Sequence, residues 1–289
     1  MNIAQEIRRK WRPRKSQSHK GDFGKIFILA GSEGLTGAAH LAAAGALRAG
    51  AGLVTLGVPK RIYPILARRQ AEVMVRPFES APQGTLAFSA LKAILDFSKT
   101  QDVLALGPGL SQHSGTQKLI RELVRRTRQP LILDADGLNA FKNHLEDLQY
   151  CRNRAILTPH PGEFIRLFGE KLPARDQERK KRASRIAERF GIFMALKGHH
   201  TLVASPEGKI YLNRTGNPGM ATGGTGDILT GILAALLGQK FSFWEAARFG
   251  VYLHGLAGDL AKRKTGEVSL IAADVLEHLP EAIRRTAGH

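Results

Sequence analysis

Short apolar runs alternate with helix-like segments along the chain. Residues 25–31 (KIFILAG) form an apolar run that ends in glycine, which predicts a buried strand. Residues 37–52 are rich in alanine and glycine and predict a helix, and residues 53–59 (LVTLGVP) predict a second strand. Because the connection is too long for a hairpin, this strand–helix–strand order predicts parallel pairing.

The same alternation continues to the last third of the chain. Further strands are predicted within residues 71–78, 102–109, 130–139, 193–205 (two strands and a turn) and 208–213 (an edge strand). Further helices are predicted within residues 86–98, 116–127, 182–191, 225–238 and 243–263. Residues 154–169 are predicted to form a strand, a turn and the start of a helix. The pattern predicts one α/β domain with a mostly parallel sheet and helices on both faces. In such a fold, ligands bind at the carboxyl ends of the strands.

The composition fits this interpretation. With 43% apolar residues among 289, the chain can bury a large core. The chain has a single cysteine, Cys151, so it cannot form an intramolecular disulfide, which suits a reducing cytoplasm. We expect Cys151 to be a small buried side chain. No apolar run approaches the ~18 residues of a membrane helix, and the charged N-terminus is unlike a secretory signal. A cytoplasmic protein without a membrane partner is expected.

The net charge of +18 is spread over several segments. Eight Lys and Arg residues lie within residues 1–25 and seven within 175–189. A nucleic-acid-binding protein would usually concentrate its charge in one stripe, so we expect a basic surface that attracts polyphosphates and no nucleic-acid partner. Residues 1–19 are interpreted as a basic leader or helix, and residues 20–289 as the domain.

A glycine-rich loop before the helix at 225–238 is the sharpest chemical signal. Gly223, Gly224 and Gly226 allow the backbone to approach an anion closely, and the helix N-terminus can hold phosphate oxygens. Asp227 then lies beside the anion, where a carboxylate can accept a hydroxyl proton during phosphoryl transfer. The alternative is a tight turn in which Asp227 only caps the helix.

Two other turns follow predicted strands. In TPHPGE (residues 158–163), two prolines fix the direction of His160, and Glu163 opens the next helix; the alternative is a turn histidine without a ligand. In LKGHHT (residues 196–201), Lys197 offers a compact charge and the turn offers backbone donors for phosphate or ribose. A metal site at the adjacent His199 and His200 is not expected. The acids of DADGLN (residues 134–139) either steer Mg²⁺ or cap a turn.

These motifs resemble one enzyme family. The segments KGDFGK with AGS (residues 20–32), TGAA (36–39), GPG (107–109), DADGLN, TPHPGE, LKGHHT and TGGTGD (222–227) stand in the order found in nucleotide-dependent NAD(P)H-hydrate dehydratases. The likeness extends from about residue 18 to the C-terminal helix. It implies a ribokinase-like three-layer α/β sandwich and an ADP- or ATP-dependent hydro-lyase that repairs the S-epimers of hydrated NADH and NADPH (NADHX and NADPHX).

The resemblance also implies roles for individual residues. Asp227 would be the base, and Ala38, Gly109 and His160 would contact the hydrated dinucleotide. Mg²⁺ would be held through water by Glu163. The residues that would bind the adenine nucleotide are Lys197, Gly198, His199, His200, Thr201 and Gly226, together with Gly223 and Gly224 of the loop. ADP is the expected donor.

The family further implies a homo-oligomer, with a tetramer as one option. Because few residues precede Lys20, a stand-alone dehydratase that works with a separate epimerase is expected. One rival function is a small-molecule kinase of the same fold, which would release a phosphorylated vitamin precursor or sugar alcohol. A second, from another class, is a non-catalytic protein that binds nucleic acid or nucleotides.

Overall fold

The structure is a computed structural model that describes residues 2–173 and 175–288, so the outer ends of the segments 1–19 and 20–289 lie outside the described residues. A nine-stranded sheet runs through this part of the chain. Its strands are β1 (Lys25–Leu29), β2 (Leu53–Pro59), β3 (Met74–Phe78), β4 (Val103–Leu106), β5 (Leu131–Leu133), β6 (Ala155–Leu157), β7 (Phe193–Leu196), β8 (Leu202–Ala204) and β9 (Ile210–Leu212).

The strand order is β3-β2-β1-β4-β5-β6-β7-β8-β9. The strands from β3 to β7 pair in parallel, whereas β8 and β9 join as antiparallel strands at one edge. The mostly parallel sheet and the edge position of the strand predicted at 208–213 are therefore confirmed. The carboxyl ends of the parallel strands β1 to β7 all lie at one edge of the sheet. The motifs GPG, DADGLN, TPHPGE and LKGHHT follow strands at this edge.

Helices cover both faces of the sheet. They are α1 (Ile3–Lys10), α2 (Thr36–Arg48), α3 (Tyr63–Leu66), α4 (Leu91–Ser98), α5 (Ser114–Arg126), α6 (Asp136–Asn139), α7 (Pro161–Phe168), α8 (Asp176–Phe190), α9 (Thr225–Gly238), α10 (Phe243–Thr265) and α11 (Ala272–Ala287). None of the helices in the described ranges is long and apolar enough to cross a lipid bilayer.

The core has two halves because neighbouring residues of a strand point to opposite faces. Ile26 and Ile28 of β1 belong to the half beneath α2, α9, α10 and α11, and Phe27 and Leu29 belong to the half beneath α4, α5, α7 and α8. Burial on both faces explains the continuous apolar strands of the sequence. Cys151 is fully buried, as expected, and burial raises the pKa of its thiol to about 12.

Helices α2 and α9 touch backbone to backbone. A Cβ at Gly45 would lie 2.7 Å from the Ile228 carbonyl oxygen, and one at Gly231 would overlap the backbone of Ala42 and Ala46. The many small residues of α2 therefore serve a close helix crossing. This crossing fixes the N-terminus of α9, and with it the glycine-rich loop, against the middle of α2.

Several helices depart from the sequence-based expectation. Helix α3 was not predicted, and α6 lies within residues 130–139, which were predicted as a strand. The helix predicted at 37–52 ends at Arg48, since Gly50 has φ +92° and residues 49–52 turn into β2. Helix α11 was not predicted, because it has a proline, Pro280, in its interior. Helix α1 of the basic leader packs on the domain: Ile7 is fully buried, and Glu6 pairs with Arg248 at 2.6 Å and 2.9 Å.

Candidate active site at the N-terminus of helix α9

The glycine-rich loop has the geometry of an anion-binding turn. Gly224 is the N-cap of α9 with φ +96°, and a Cβ there would lie 2.5 Å from Leu41 Cδ1 of α2. The hydroxyl of Thr225 donates to the carbonyl of Met220 at 3.0 Å and so closes the turn. The turn thus needs glycine, and it directs the free N–H groups of the first turn of α9 to the crevice.

A buried ion pair lies beside this loop. Lys197, at the end of β7, places its Nζ 2.7 Å from Asp134 Oδ1, at the end of β5. The second oxygen of Asp134 accepts a hydrogen bond from the Thr230 hydroxyl of α9 at 2.8 Å, and Glu163 Oε2 lies 3.7 Å from the same ammonium group. Burial opposes the charge of Lys197, but these carboxylates, with Asp227, raise its pKa. Lys197 is therefore a fixed positive charge.

Asp227 lies on the first turn of α9, and its environment favours the protonated form. Burial, followed by repulsion from Asp134, raises the pKa of this carboxyl group to about 7, although Lys197 pulls it down. A carboxylate with such a pKa is suited to accept a proton near neutral pH. The role of a simple helix cap does not explain this position, because the N-cap is Gly224 and no side chain caps α9.

His160 and Glu163 form a reciprocal cap at the start of α7. Glu163 Oε2 accepts from the backbone N–H of His160 at 2.8 Å, and His160 Nδ1 accepts from the N–H of Gly162 at 3.0 Å. Since Nδ1 is an acceptor, the ring proton is on Nε2, which lies 3.4 Å from Glu163 Oε1. The histidine has turn partners, yet its ring is half exposed and lines the crevice.

The loop after β7 is held in a special backbone conformation. Gly198 has φ +131° and His200 has φ +54°, and the latter is uncommon for a residue with a side chain. Arg179 of α8 donates to the His199 carbonyl at 3.0 Å, and His200 Nδ1 lies 3.3 Å from Asp176 Oδ2. Helix α8 therefore holds this loop open towards the crevice.

A cavity of about 1020 Å³ brings most of the predicted site residues together. The predicted residues among its lining are His160, Glu163, Lys197, Gly198, His199, His200, Thr201, Gly224, Gly226 and Asp227. Asp134 also lines the cavity, and Ala135 between the two acids of DADGLN has a strained backbone with φ +47°. Asp136 is not part of the cavity lining, and it accepts a hydrogen bond from the Ser111 N–H at 2.8 Å.

Three predicted residues lie outside the cavity lining. Gly223 belongs to the loop but not to the cavity wall, and Ala38 and Gly109 form a separate small patch. Gly109 has φ +63°, and a Cβ there would lie 3.2 Å from Ala38 Cβ and 2.9 Å from the Leu35 carbonyl oxygen. Helix α2 connects this patch to the glycine-rich loop, because α2 contains Ala38 and its Leu41 contacts Gly224.

Several cavity residues were missed by sequence reasoning. Asn213, Thr215 and Asp259 line the cavity next to the glycine-rich loop, and so does His254 of α10. The polar run NRTGN at residues 213–217 was a signal that could have pointed to the first two. Nothing local distinguishes His254 or Asp259 from the other polar residues of a long helix.

Comparisons with known proteins show which family the chain resembles. The family model described as NAD(P)H-hydrate dehydratase matches residues 26–281. The ADP-dependent (S)-NAD(P)H-hydrate dehydratase of Neisseria meningitidis is 36% identical over 272 residues, which cover 92% of this chain and 86% of that protein. The bifunctional NAD(P)H-hydrate repair enzyme of Moorella thermoacetica is 44% identical over 271 residues, 94% of this chain and 51% of the relative. The chain thus spans about half the length of this and similar bifunctional relatives.

Solved structures show the same fold. The ADP/ATP-dependent NAD(P)H-hydrate dehydratase of Bacillus subtilis, co-crystallised with ATP and Mg²⁺, matches with a TM-score of 0.82 and 31% identity over 98% of this chain and 97% of that one. A ribokinase-like superfamily protein of Enterococcus faecalis matches with a TM-score of 0.84 and 27% identity over 99% and 95%. On this sequence and structural evidence, the chain belongs to the NAD(P)H-hydrate dehydratase family and has its ribokinase-like fold.

Proposed function

We propose that this protein dehydrates the S-epimers of NADHX and NADPHX to NADH and NADPH, with ADP as phosphoryl donor and ATP as the alternative. The observation that carries the proposal is the position of Asp227. Its carboxyl group, with a pKa raised to about 7, directly follows the glycine-rich loop and lies close to the charge of Lys197. This combination suits the activation of an alcohol beside a polyphosphate.

The reaction must remove a hydroxyl group from C6 of the hydrated nicotinamide ring. Hydroxide is a poor leaving group, whereas phosphate is a good one. Asp227 accepts the proton of the C6 hydroxyl while that oxygen attacks the terminal phosphoryl group of ADP, and AMP leaves. The lone pair of the ring nitrogen then expels phosphate, and transfer of the C5 proton to water restores NADH or NADPH.

The nucleotide would occupy the large cavity. The N–H groups at the start of α9 and the Lys197 ammonium would stabilise charge on the transferred phosphoryl group. The loop from Lys197 to Thr201 would hold the rest of the nucleotide. The hydrated ring would lie between Asp227 and His160, next to the patch of Ala38 and Gly109.

A divalent cation fits the charge of the site. Asp134, Glu163 and Asp227 bring three carboxyl groups to one ammonium group, and oxygen ligands are those that Mg²⁺ prefers. Since Glu163 is already engaged by His160, we propose that it holds Mg²⁺ through water. When bound, the cation would neutralise phosphate charge. The homo-oligomer and the separate epimerase remain predictions from the resemblance, and the cytoplasmic location remains a prediction from the composition.

The test is incubation of the protein with NADHX, Mg²⁺ and either ADP or ATP. We expect the absorbance of the reduced nicotinamide to return, with one phosphate released for each NADH formed. A faster reaction with ADP would support it as the donor. A stable phosphorylated product of another alcohol would identify a kinase, and salt-sensitive binding to unrelated DNA without dehydration would favour a nucleic-acid-binding protein.

A further inference from the structure

Residues 213–225, which connect β9 to the first residue of α9, are here called the entry loop and lie directly on helix α10. The contact is close because α10 has glycines one turn apart. A Cβ at Gly255 would overlap Thr215, and a Cβ at Gly258 would overlap the side chain of Met220. Helix α10 therefore serves as a platform for the segment that precedes the anion-binding turn.

Hydrogen bonds join the first part of the entry loop to this platform. The Asn213 side chain donates to the Val251 carbonyl at 3.1 Å, and the Thr215 hydroxyl donates to the Tyr252 carbonyl at 2.9 Å. Asp259 accepts from the Gly216 N–H at 2.9 Å and from the Asn217 side chain at 3.1 Å. One carboxylate of α10 thus holds two consecutive residues of the loop.

His254 holds the other end of the loop. Its Nε2 lies 2.9 Å from the carbonyl oxygen of Thr225, the first residue of α9. A carbonyl oxygen can only accept, so Nε2 carries the proton and the ring is the donor. Burial lowers the pKa of His254 to about 4, although the hydrogen bond to Thr225 opposes this shift. The ring is therefore neutral near pH 7, and the donor is permanently present.

We propose that His254 and Asp259 are positioning residues of the nucleotide site. They act through the backbone of the entry loop, His254 at Thr225 and Asp259 at Gly216 and Asn217, and so fix the N–H groups that hold phosphate. This inference rests on the proposed function, since it assumes that the loop binds ADP. It assigns to α10 a part in nucleotide affinity that the glycine motif alone does not contain.

The test compares two variants at one position. His254→Leu keeps the bulk but removes the donor, whereas His254→Gln places an amide donor near the position of Nε2. We expect the dissociation constant and the KM for ADP to rise fivefold to tenfold in His254→Leu and to stay within twofold of wild type in His254→Gln. The KM for NADHX should change little in both. Arg263→Ala, an exposed position on the same helix, is the matched control.

Asp259→Ala tests the other anchor and should also weaken ADP binding severalfold. Isothermal titration with ADP and Mg²⁺ measures binding without turnover, and the melting temperature reports folding. A folded His254→Leu variant with wild-type ADP affinity would overturn the inference, and so would a His254→Gln variant as weak as His254→Leu. If His254→Leu does not fold, the Gln variant and Asp259→Ala decide. Wild-type protein that binds ADP but does not dehydrate NADHX overturns only the proposed function.

Discussion

The two sides of Asp227 carry side chains of different chemistry. On the side of β5, β6 and β7, the strand ends carry Asp134, Glu163 and Lys197, and the loops around them are held by ion pairs and caps. On the side of β1 and β4, the corresponding positions carry Ala38 and Gly109, which have no polar side-chain atoms. The start of α9 lies between them, since Gly224 touches α2 and Gly226 lies near Lys197.

Under the proposed function, this difference would let one α/β crevice hold two ligands. A polyphosphate needs fixed charge and donors, which the first side supplies from buried side chains. A flat ring needs space against the backbone, which glycine and alanine supply. Variants on the two sides should therefore separate ADP affinity from NADHX affinity.

The largest effect is expected where the two sides meet. Asp227→Asn keeps the shape but cannot accept a proton, so kcat should fall ~1,000-fold. ADP binding should remain, because the backbone N–H groups and Lys197 are unchanged. Single-turnover assays with a parallel titration of ADP measure both quantities. A variant that dehydrates NADHX at the wild-type rate would remove Asp227 from the role of base.

Removal of the fixed charge at Lys197 should weaken ADP binding but leave NADHX binding unchanged. We expect Lys197→Met to weaken ADP binding ~10- to 100-fold, since a charge-assisted contact is lost. The pKa of Asp227 should rise further without the nearby ammonium, so the acidic limb of the rate profile should move to higher pH. Lys240→Met, at an exposed lysine, is the control. Equal losses of ADP and NADHX affinity would contradict the division between the two sides.

A side chain on the small-residue patch should affect the dinucleotide side alone. Gly109→Ala places a Cβ 2.9 Å from the Leu35 carbonyl at φ +63°, so the patch must move. We expect the KM for NADHX to rise ~10-fold while ADP binding is unchanged. Gly34→Ala has a similar backbone strain at φ +83° but no neighbour within 4 Å, and it separates strain from crowding. If both variants raise the KM equally, crowding at Gly109 is not the cause.

The smallest effect concerns stability. The folded state raises the pKa of Asp227 from 3.8 to about 7, so it favours the protonated form. Wild-type stability relative to Asp227→Asn should therefore be retained below pH 3.8 and lost as the pH rises to about 7 and above. The full shift corresponds to ~4 kcal/mol, and allowing for partial solvent screening we expect a loss of ~1–3 kcal/mol. Denaturant unfolding of both proteins at pH 4 and pH 8 measures it, and a pH-independent difference would argue against the raised pKa.

Much of the fold could be predicted because it follows from local patterns. Strands buried on both faces leave continuous apolar runs, as at β1 and β4, and the anion turn leaves glycines before an apolar helix. Helix α11 left a weaker signal because of Pro280, and its place is set by packing on α10. The strand order was not predicted, since neighbouring strands such as β1 and β4 are far apart in the chain.

The sequence by itself determined most of the elements, the presence of motifs at the carboxyl ends of the strands and the chemical groups that those motifs contain. Only the tertiary structure decided that Lys197 pairs with Asp134, that His254 holds Thr225, and that the pKa of Asp227 lies near 7. These facts depend on distances of a few ångströms between residues 29 to 93 positions apart. Burial and charge act through space, so a pattern read along the chain does not contain them.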